Sequence, residues 1–254
     1  MDVLFFLKER TRLIRQYYEH AASPFNEIIR KIEAEEEPYV PPYSEDGEPP
    51  FISEWIDADE LREVTGRCCL SMLSASLQLY FRTWERNLSL NCGKTFKADF
   101  KNEGIVGGYR ACLASCAAVD WSQCPADLEI IEQVVLARNR DQHPESITSV
   151  RVTHGEKDRQ RFPRPFFMSE HEAALFEEGD DPTLFMSSSV HVSRDKLMTA
   201  IEQVERLCEW LEAKMFDAKY PARIGSSPAL SSDSTAVVNN GSQNRARLAQ
   251  RGLM

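Results

Sequence analysis

A chain of 254 residues, of which 42% are hydrophobic and 28% charged, can bury one sizeable core or two small ones and is not disordered over most of its length. No apolar stretch approaches the roughly 20 residues that a membrane-spanning helix needs, and the run VLFFL after Asp2 is about half a signal-peptide core. Seven cysteines, an odd number without regular spacing, favour a reducing compartment over a disulfide scaffold. We therefore expect a globular cytoplasmic protein that does not enter the membrane.

The net charge of −10 is concentrated in one short segment. Residues 34–63 contain eleven acids and one arginine, so the rest of the chain is formally neutral. Five prolines lie between positions 38 and 50 and oppose a helix over most of this span. We predict an acidic, proline-rich loop over residues 34–56. It is either a solubilising connector or a surface that repels nucleic acid or docks a basic partner.

Apolar residues at three- and four-residue intervals predict a series of helices. The first long helix starts near Leu4, and Ser23-Pro24 breaks it, kinks it or restarts it toward Ile28, Ile29 and Ile32. The second should be central because it carries two apolar stripes. One stripe is Leu61, Val64, Cys68, Met72, Ala75 and Leu79, and the other is Leu73, Leu77, Tyr80, Trp84 and Leu88. A third helix spans residues 105–119, and a fourth starts at Pro125.

Beyond the fourth helix the pattern changes to the two-residue period of strands. Residues 147–153 and 183–192 predict a short two-stranded β insertion within 146–192. Ser193 is a suitable N-cap for a terminal helix over 193–219. Its apolar stripe is Leu197, Ile201, Val204, Cys208, Leu211 and Met215. The fold class is therefore mainly α, with a helical domain over residues 1–220 and a disordered, small and polar tail over 221–254.

The end of the fourth helix carries three polar side chains. Arg138, Asn139 and His143 follow an apolar run that Pro144 then stops. Asn139 and His143 are four residues apart and share a helix face, whereas Arg138 and His143 diverge by about 140° on a regular helix. Because a proline disfavours the helical conformation of the preceding residue, the last turn can open and swing the imidazole toward the guanidinium.

These residue types suit phosphodiester chemistry. His143 can move a proton near neutral pH, and Arg138 can neutralise the charge of a developing phosphorane. Asn139 can orient the imidazole or a phosphate oxygen. The three together predict a site for a phosphate-containing substrate.

Similar spacings of arginine and histidine occur elsewhere in the chain. Arg15 and His20 have the same separation, and Arg164 and His171 a longer one. Roughly one such match is expected by accident in a chain of this composition. The match in the fourth helix differs because its arginine is followed by asparagine and its histidine by proline, so we interpret the Arg15–His20 pair as accidental.

The hexapeptide Arg138-Asn139-Arg140-Asp141-Gln142-His143, late in a helical bundle, resembles the R-N-x-x-x-H motif of the HEPN superfamily (higher eukaryotes and prokaryotes nucleotide-binding domains). The resemblance covers residues 1–143 and 193–219 and implies a HEPN-like helical bundle. Many members are metal-independent endoribonucleases that act as toxins or in antiviral defence. The resemblance therefore implies an RNA substrate, Arg138 and His143 as the catalytic pair, and Asn139 as the accompanying polar residue.

The chain departs from the family at one position. HEPN toxins that are paired with a nucleotidyltransferase antitoxin often have a tyrosine two positions after the histidine, as the modification site, and this chain has Glu145 there. That mode of neutralisation is therefore in doubt, although an antitoxin or other regulatory protein remains an expected partner.

Two other interpretations of the motif stay open. Many HEPN-like domains are non-catalytic interaction or nucleotide-binding modules, and an arginine and a histidine at a helix end can simply complement the helix dipole. The motif can also be an accident in another kind of helical protein. The neighbouring gene would separate these interpretations best: an adjacent small antitoxin favours a toxin, a defence operon favours an immune effector, and an unrelated neighbourhood favours a non-catalytic module.

Four residues between positions 112 and 154 are of types that bind zinc. Cys112 and Cys116 are one turn apart on a helix, with Cys124 and His154 beyond them. We favour buried cysteines that pack among alanines, and we predict no metal and no cofactor.

A single motif supplies one proton-transfer residue, whereas attack by the 2′-hydroxyl is helped by a base and an acid on opposite sides of the phosphate. A two-fold homodimer would supply both, and in the resembling family the motifs of two subunits do meet in this way. We expect the dimer contact to involve the fourth helix and the Leu197–Met215 stripe, unless that stripe packs inside its own subunit.

Overall fold

The computed structural model describes residues 2–43, 49–143, 151–177 and 188–221. Within these ranges the chain forms eight α-helices and a short 3-10 turn at Trp121–Gln123. The helices are α1 (Val3–Glu33), α2 (Ile52–Asn87), α3 (Cys92–Thr95), α4 (Lys97–Ala117), α5 (Leu128–Gln142), α6 (Glu156–Arg161), α7 (Glu170–Glu177) and α8 (Arg194–Lys219). The predicted mainly α fold is confirmed.

Helix α2 lies at the centre of these helices, as its two apolar stripes predicted. It packs against α1, α5 and α8. The stripe of Leu73, Leu77, Tyr80 and Trp84 is buried in this core. The Tyr80 hydroxyl and the Trp84 indole N–H both donate to the carboxylate of Glu212 on α8, over 2.8 and 3.0 Å. These bonds satisfy the polar ends of two buried aromatic side chains and join α2 to α8.

The other apolar stripe of α2 does not pack inside the subunit. Leu61, Val64, Met72 and Leu79 are between 39% and 47% exposed, and Cys68 and Ala75 are exposed as well. The predicted central position of α2 therefore rests on one buried stripe in the described part of the chain, and not on both stripes as the sequence suggested. The neighbouring helices cover the rest of α2 and leave this line of side chains open.

The apolar stripe of α8, unlike the exposed stripe of α2, packs inside the subunit. All six of its predicted members, from Leu197 to Met215, are fully buried. Ser193 caps the helix as predicted, because its hydroxyl accepts a hydrogen bond from the Lys196 N–H over 3.4 Å. This stripe fills the core of its own subunit, so the alternative of packing within one chain is confirmed and Leu197–Met215 is not available for a dimer contact.

Several helix boundaries differ from the predicted ones, most clearly in α1 and α2. Helix α1 continues through Pro24 to Glu33, and Ala22 and Ile29, which lie on either side of the proline, are both buried. Tertiary packing of this face outweighs the local cost of an internal proline. Helix α2 begins at Ile52, inside the predicted loop 34–56, because the last proline of the acidic segment is Pro50.

In the described residues, the predicted β insertion is reduced to one antiparallel bridge between Thr153 and Ser189. The Val190 N–H donates to the Val152 carbonyl over 2.8 Å beside it. Helices α6 and α7, which the period of the sequence did not predict, lie between the two sides of this bridge. Other parts of the prediction lie outside the described residues, namely 144–150, 178–187 and the tail over 222–254.

Cys92 and Cys112 form a disulfide that joins α3 to α4, with their Cα atoms 5.5 Å apart. The number and spacing of the cysteines favoured a reducing compartment over a disulfide scaffold, and this one bond departs from that expectation. The cytoplasmic location was inferred partly from the cysteines and stays a prediction. None of the helices in the described part of the chain is both long and apolar enough to cross a membrane.

Candidate functional site

The predicted site lies where α5 ends. Asp127 caps the start of this helix by accepting two backbone hydrogen bonds of the first turn. Gln142 is the last helical residue, and His143 leaves the helical conformation with φ −129° and ψ 62°. The His143 N–H still donates to the Asn139 carbonyl over 3.1 Å. A helix end at this point is what Pro144 predicted, although the proline itself lies outside the described residues.

The structure brings two of the three predicted side chains together. Arg138 Nη1 donates to Asn139 Oδ1 over 3.0 Å, and both residues are half-buried. His143 is exposed, and within the described residues its ring forms no hydrogen bond to Arg138 or Asn139. Asn139 therefore orients the guanidinium rather than the imidazole.

The residues between Asn139 and His143 fasten the end of α5 to its neighbours. Asp141 pairs with Arg67 of α2, with 3.2 Å between Oδ1 and Nε. Arg140 pairs with Asp158 of α6, with 3.0 Å between Nε and Oδ2. Gly155 gives the Arg140 guanidinium its room, because a Cβ there would lie 1.5 Å from Nη2. Two ion pairs thus hold the motif-bearing end of the helix in position.

A buried carboxylate on the same helix was missed by the sequence analysis. Glu132 is 6% exposed, and its oxygens lie 3.9 Å from Arg110 Nη1 of α4 and 2.5 Å from Arg161 Nη2 of α6. Burial raises the pKa of this carboxyl and outweighs the two arginines, which lower it. The one available signal was that Glu132 interrupts an otherwise apolar run. Its role is structural, since it ties α4 and α6 to the helix that carries the motif.

The Arg15–His20 pair is used differently from Arg138 and His143. Arg15 donates two hydrogen bonds, of 2.7 and 2.9 Å, to the carboxylate of Glu205 on α8. His20 is exposed on α1. The guanidinium of Arg15 therefore links two helices, which supports the interpretation of this spacing as accidental.

The four candidate zinc ligands do not converge. Cys112 is bonded to Cys92, and His154 is buried with Nε2 2.7 Å from the Phe167 carbonyl oxygen. Among the residues that the structure describes, no three histidine, cysteine, aspartate or glutamate side chains are placed to hold a metal ion. Cys112 and His154, two of the four candidate ligands, are thus engaged in other contacts.

The described residues define a mainly helical protein with a hydrogen-bonded arginine–asparagine pair and an exposed histidine at one helix end. No protein-family model, curated protein or solved structure matches the chain. The chemistry of this helix end is therefore the basis for a proposed function.

Proposed function

We propose that this protein is a metal-independent endoribonuclease of the HEPN type, with Arg138 and His143 as its catalytic residues. The supporting observation is the Arg138–Asn139 hydrogen bond beside the exposed His143. A side-chain amide oxygen that accepts one N–H of a guanidinium fixes the orientation of that group. Its other N–H groups then point in defined directions and can bind two oxygens of a phosphate. An exposed histidine at the same helix end can exchange protons with a bound substrate.

In the proposed reaction the 2′-hydroxyl oxygen of one nucleotide forms a bond to the adjacent phosphorus, and the bond from phosphorus to the 5′-oxygen of the next nucleotide breaks. A base removes the hydroxyl proton, and an acid gives a proton to the leaving oxygen. Arg138 stabilises the additional negative charge of the intermediate phosphorane. The products are a 2′,3′-cyclic phosphate and a 5′-hydroxyl, and DNA is not cleaved because it lacks the nucleophile.

One His143 provides one of the two proton transfers. In a two-fold homodimer the His143 of a second copy provides the other, on the opposite side of the phosphate. The proposal therefore includes a composite groove formed by two α5 ends. Mixing the inactive variants Arg138→Ala and His143→Ala should restore some cleavage if the groove is shared, whereas a strictly monomeric protein that cleaves RNA would refute it.

The direct test is incubation of the purified protein with mixed RNA in EDTA. We expect fragments that end in a cyclic phosphate or its 3′-phosphate product. His143→Ala and Arg138→Ala should each reduce the rate by about 100-fold or more. His20→Ala is the matched control, because it removes an exposed histidine with the same spacing from an arginine. Cleavage that needs a metal ion, or that survives in His143→Ala, would contradict the proposal.

The exposure of His143 favours a second candidate function. The imidazole has no hydrogen bond to Arg138, and a HEPN-like module that binds nucleotides or a protein without cleavage needs none. In that case RNA or a nucleotide should bind in a manner that depends on Arg138 and remain intact. Filter binding under the conditions of the cleavage assay separates the two functions.

A further inference from the structure

Helix α2 leaves one line of residues open to solvent, which we name the α2 seam. From position 61 to the end of the helix, every exposed residue lies on this line, at intervals of three or four positions. The seam consists of Glu54, Asp57, Leu61, Val64, Cys68, Met72, Ala75, Leu79, Arg82 and Arg86. It extends over about 48 Å of helix, and a continuous line of this spacing is the surface along which two helices pack lengthwise.

The two ends of the seam carry opposite charge. Glu54 and Asp57 lie at its N-terminal end, Arg82 and Arg86 lie at its C-terminal end, and the six residues between them are apolar or small. Within the described part of the chain, none of these four charged side chains forms an ion pair. Two seams placed parallel would bring like charges together, whereas antiparallel seams bring each arginine end to an acidic end.

We propose that the α2 seam binds the same seam of a second copy of the chain, antiparallel, about a two-fold axis that crosses the seam between Cys68 and Met72. The facing pairs are Leu61 with Leu79, Val64 with Ala75, Cys68 with Met72, Asp57 with Arg82, and Glu54 with Arg86. A shift by one seam position would place Asp57 against Leu79 and leave Arg86 unpaired, or, in the other direction, place Arg82 against Leu61 and leave Glu54 unpaired. Apolar contact and charge therefore select the same register.

The arginine end of the seam opens into a depression of about 610 Å³, which is lined by three cations, Arg82, Arg86 and Lys94. Its one carboxylate, Glu85, already accepts hydrogen bonds from a backbone N–H and from the Tyr109 hydroxyl, each of 2.8 Å. The subunit thus leaves the positive charge here without a carboxylate partner. The acidic end of a second seam supplies that partner.

The position of the axis determines where the two motifs lie. Asp141 at the end of α5 contacts Arg67 over 3.2 Å and Ser71 over 3.4 Å, and these two residues lie beside Cys68 and Met72 on one side of the seam. A two-fold axis between antiparallel helices keeps this side of both copies on the same face of the dimer, so the two α5 ends lie next to each other. Their use as one RNA groove rests on the proposed function, whereas the pairing itself rests on α2.

Charge reversal tests the register. Sedimentation velocity of the full chain at micromolar concentration should give about twice the chain mass of 29.0 kDa. Arg82→Glu with Arg86→Glu should raise the dissociation constant about tenfold or more, and so should Glu54→Arg with Asp57→Arg. All four changes together should restore the dimer. Leu13→Lys, at a position of α1 that is 52% exposed, is the control that should change nothing.

Oxidative cross-linking gives a second measurement on the same register. Met72→Cys places a thiol opposite Cys68 of the second copy, so mild oxidation should yield a covalent dimer that is lost when Cys68→Ser is added. Leu13→Cys should yield none. The pairing is overturned if the wild-type chain stays monomeric. It is also overturned if the quadruple charge-reversal variant dimerises no better than the two double variants. A dimer that cleaves no RNA contradicts only the proposed function. A monomer that cleaves RNA contradicts the pairing and the composite groove but not the ribonuclease activity.

Discussion

Neighbouring side chains decide what each arginine of this protein can do. Arg15 directs two N–H groups to the carboxylate of Glu205, whereas Arg138 directs one to the amide oxygen of Asn139. The first guanidinium is therefore part of a link between helices, whereas the second has other N–H donors that the proposed phosphate would bind. Two arginines that each precede a histidine by five positions thus have different partners in the fold.

Arg15→Ala should lower the free energy of unfolding by about 1–2 kcal/mol, because it leaves the largely buried carboxylate of Glu205 without its main partner. Urea denaturation measures this change, and RNA cleavage should be retained. Arg138→Ala should do the reverse, with a stability within about 0.5 kcal/mol of the wild type and cleavage lost. Loss of cleavage in folded Arg15→Ala would contradict this division of roles.

The buried His154 should make stability depend on pH. Burial holds its pKa below the ordinary value of 6.5, although the Phe167 carbonyl acts to raise it. The folded protein therefore favours the neutral imidazole. Its contribution to stability is complete above pH 6.5 and decreases as the pH falls below 6.5 toward the lowered pKa, because the unfolded chain binds the proton first.

Unfolding free energies between pH 7.5 and pH 5 should therefore fall more steeply for the wild type than for His154→Gln, by up to about 1.4 kcal/mol per pH unit. The raised pKa of Glu132 acts in the opposite direction, but it is common to both proteins and cancels in the difference. The exposed His20→Gln is the control. Equal slopes for wild type and His154→Gln would show that His154 is not held neutral.

At the scale of elements, α2 passes so close to the segment before α8 that one position has no room for a side chain. A Cβ on Gly66 would lie 2.5 Å from the Val192 carbonyl oxygen and 3.0 Å from its Cβ. This contact explains a glycine in the interior of a helix, where it would otherwise weaken the helix by about 1 kcal/mol relative to alanine.

Gly66→Ala should accordingly destabilise the protein by about 1–3 kcal/mol, because the backbone of Val192 must move to admit the methyl group. Thermal denaturation is the measurement. Gly93→Ala is the matched control, since a Cβ at Gly93 would meet nothing within 4 Å. A higher melting temperature for Gly66→Ala would contradict the close approach.

At the scale of the whole molecule, the leucines of α8 and of the α2 seam differ in whether they are buried within the subunit. Leu207 of α8 is fully buried within the subunit, whereas Leu79 of α2 is 39% exposed. The first contributes to the core of one chain. The second is open in one chain and is covered only in the proposed dimer.

Leu207→Ala should lower the free energy of unfolding by about 2–5 kcal/mol, through lost burial and the cavity that remains. Leu79→Ala should change the stability of the dilute subunit by no more than about 0.5 kcal/mol but weaken dimerisation. Denaturation at low protein concentration and sedimentation at higher concentration separate these effects. A large loss of subunit stability in Leu79→Ala would show that Leu79 packs within its own chain.

Local signals predicted the helices better than their boundaries. The intervals of apolar residues located α1, α2, α5 and α8, and the hydroxyl of Ser193 marked the start of α8. The signals failed at Pro24, because packing on both sides of the proline keeps α1 intact. They also missed α6 and α7, and α6 is held by contacts such as Arg140 with Asp158 rather than by a period in the sequence.

By itself the sequence determined that the protein is mainly helical, that α8 carries a continuous core stripe, and that Arg138, Asn139 and His143 share one helix end. Periodicity, capping and chain proximity are local, so they can be recognised without a fold. Only the tertiary structure decided which apolar stripe of α2 is buried and that Arg15 is engaged by Glu205. Two stripes of similar apolar character on one helix cannot be distinguished until the neighbouring helices, distant in sequence, are in place.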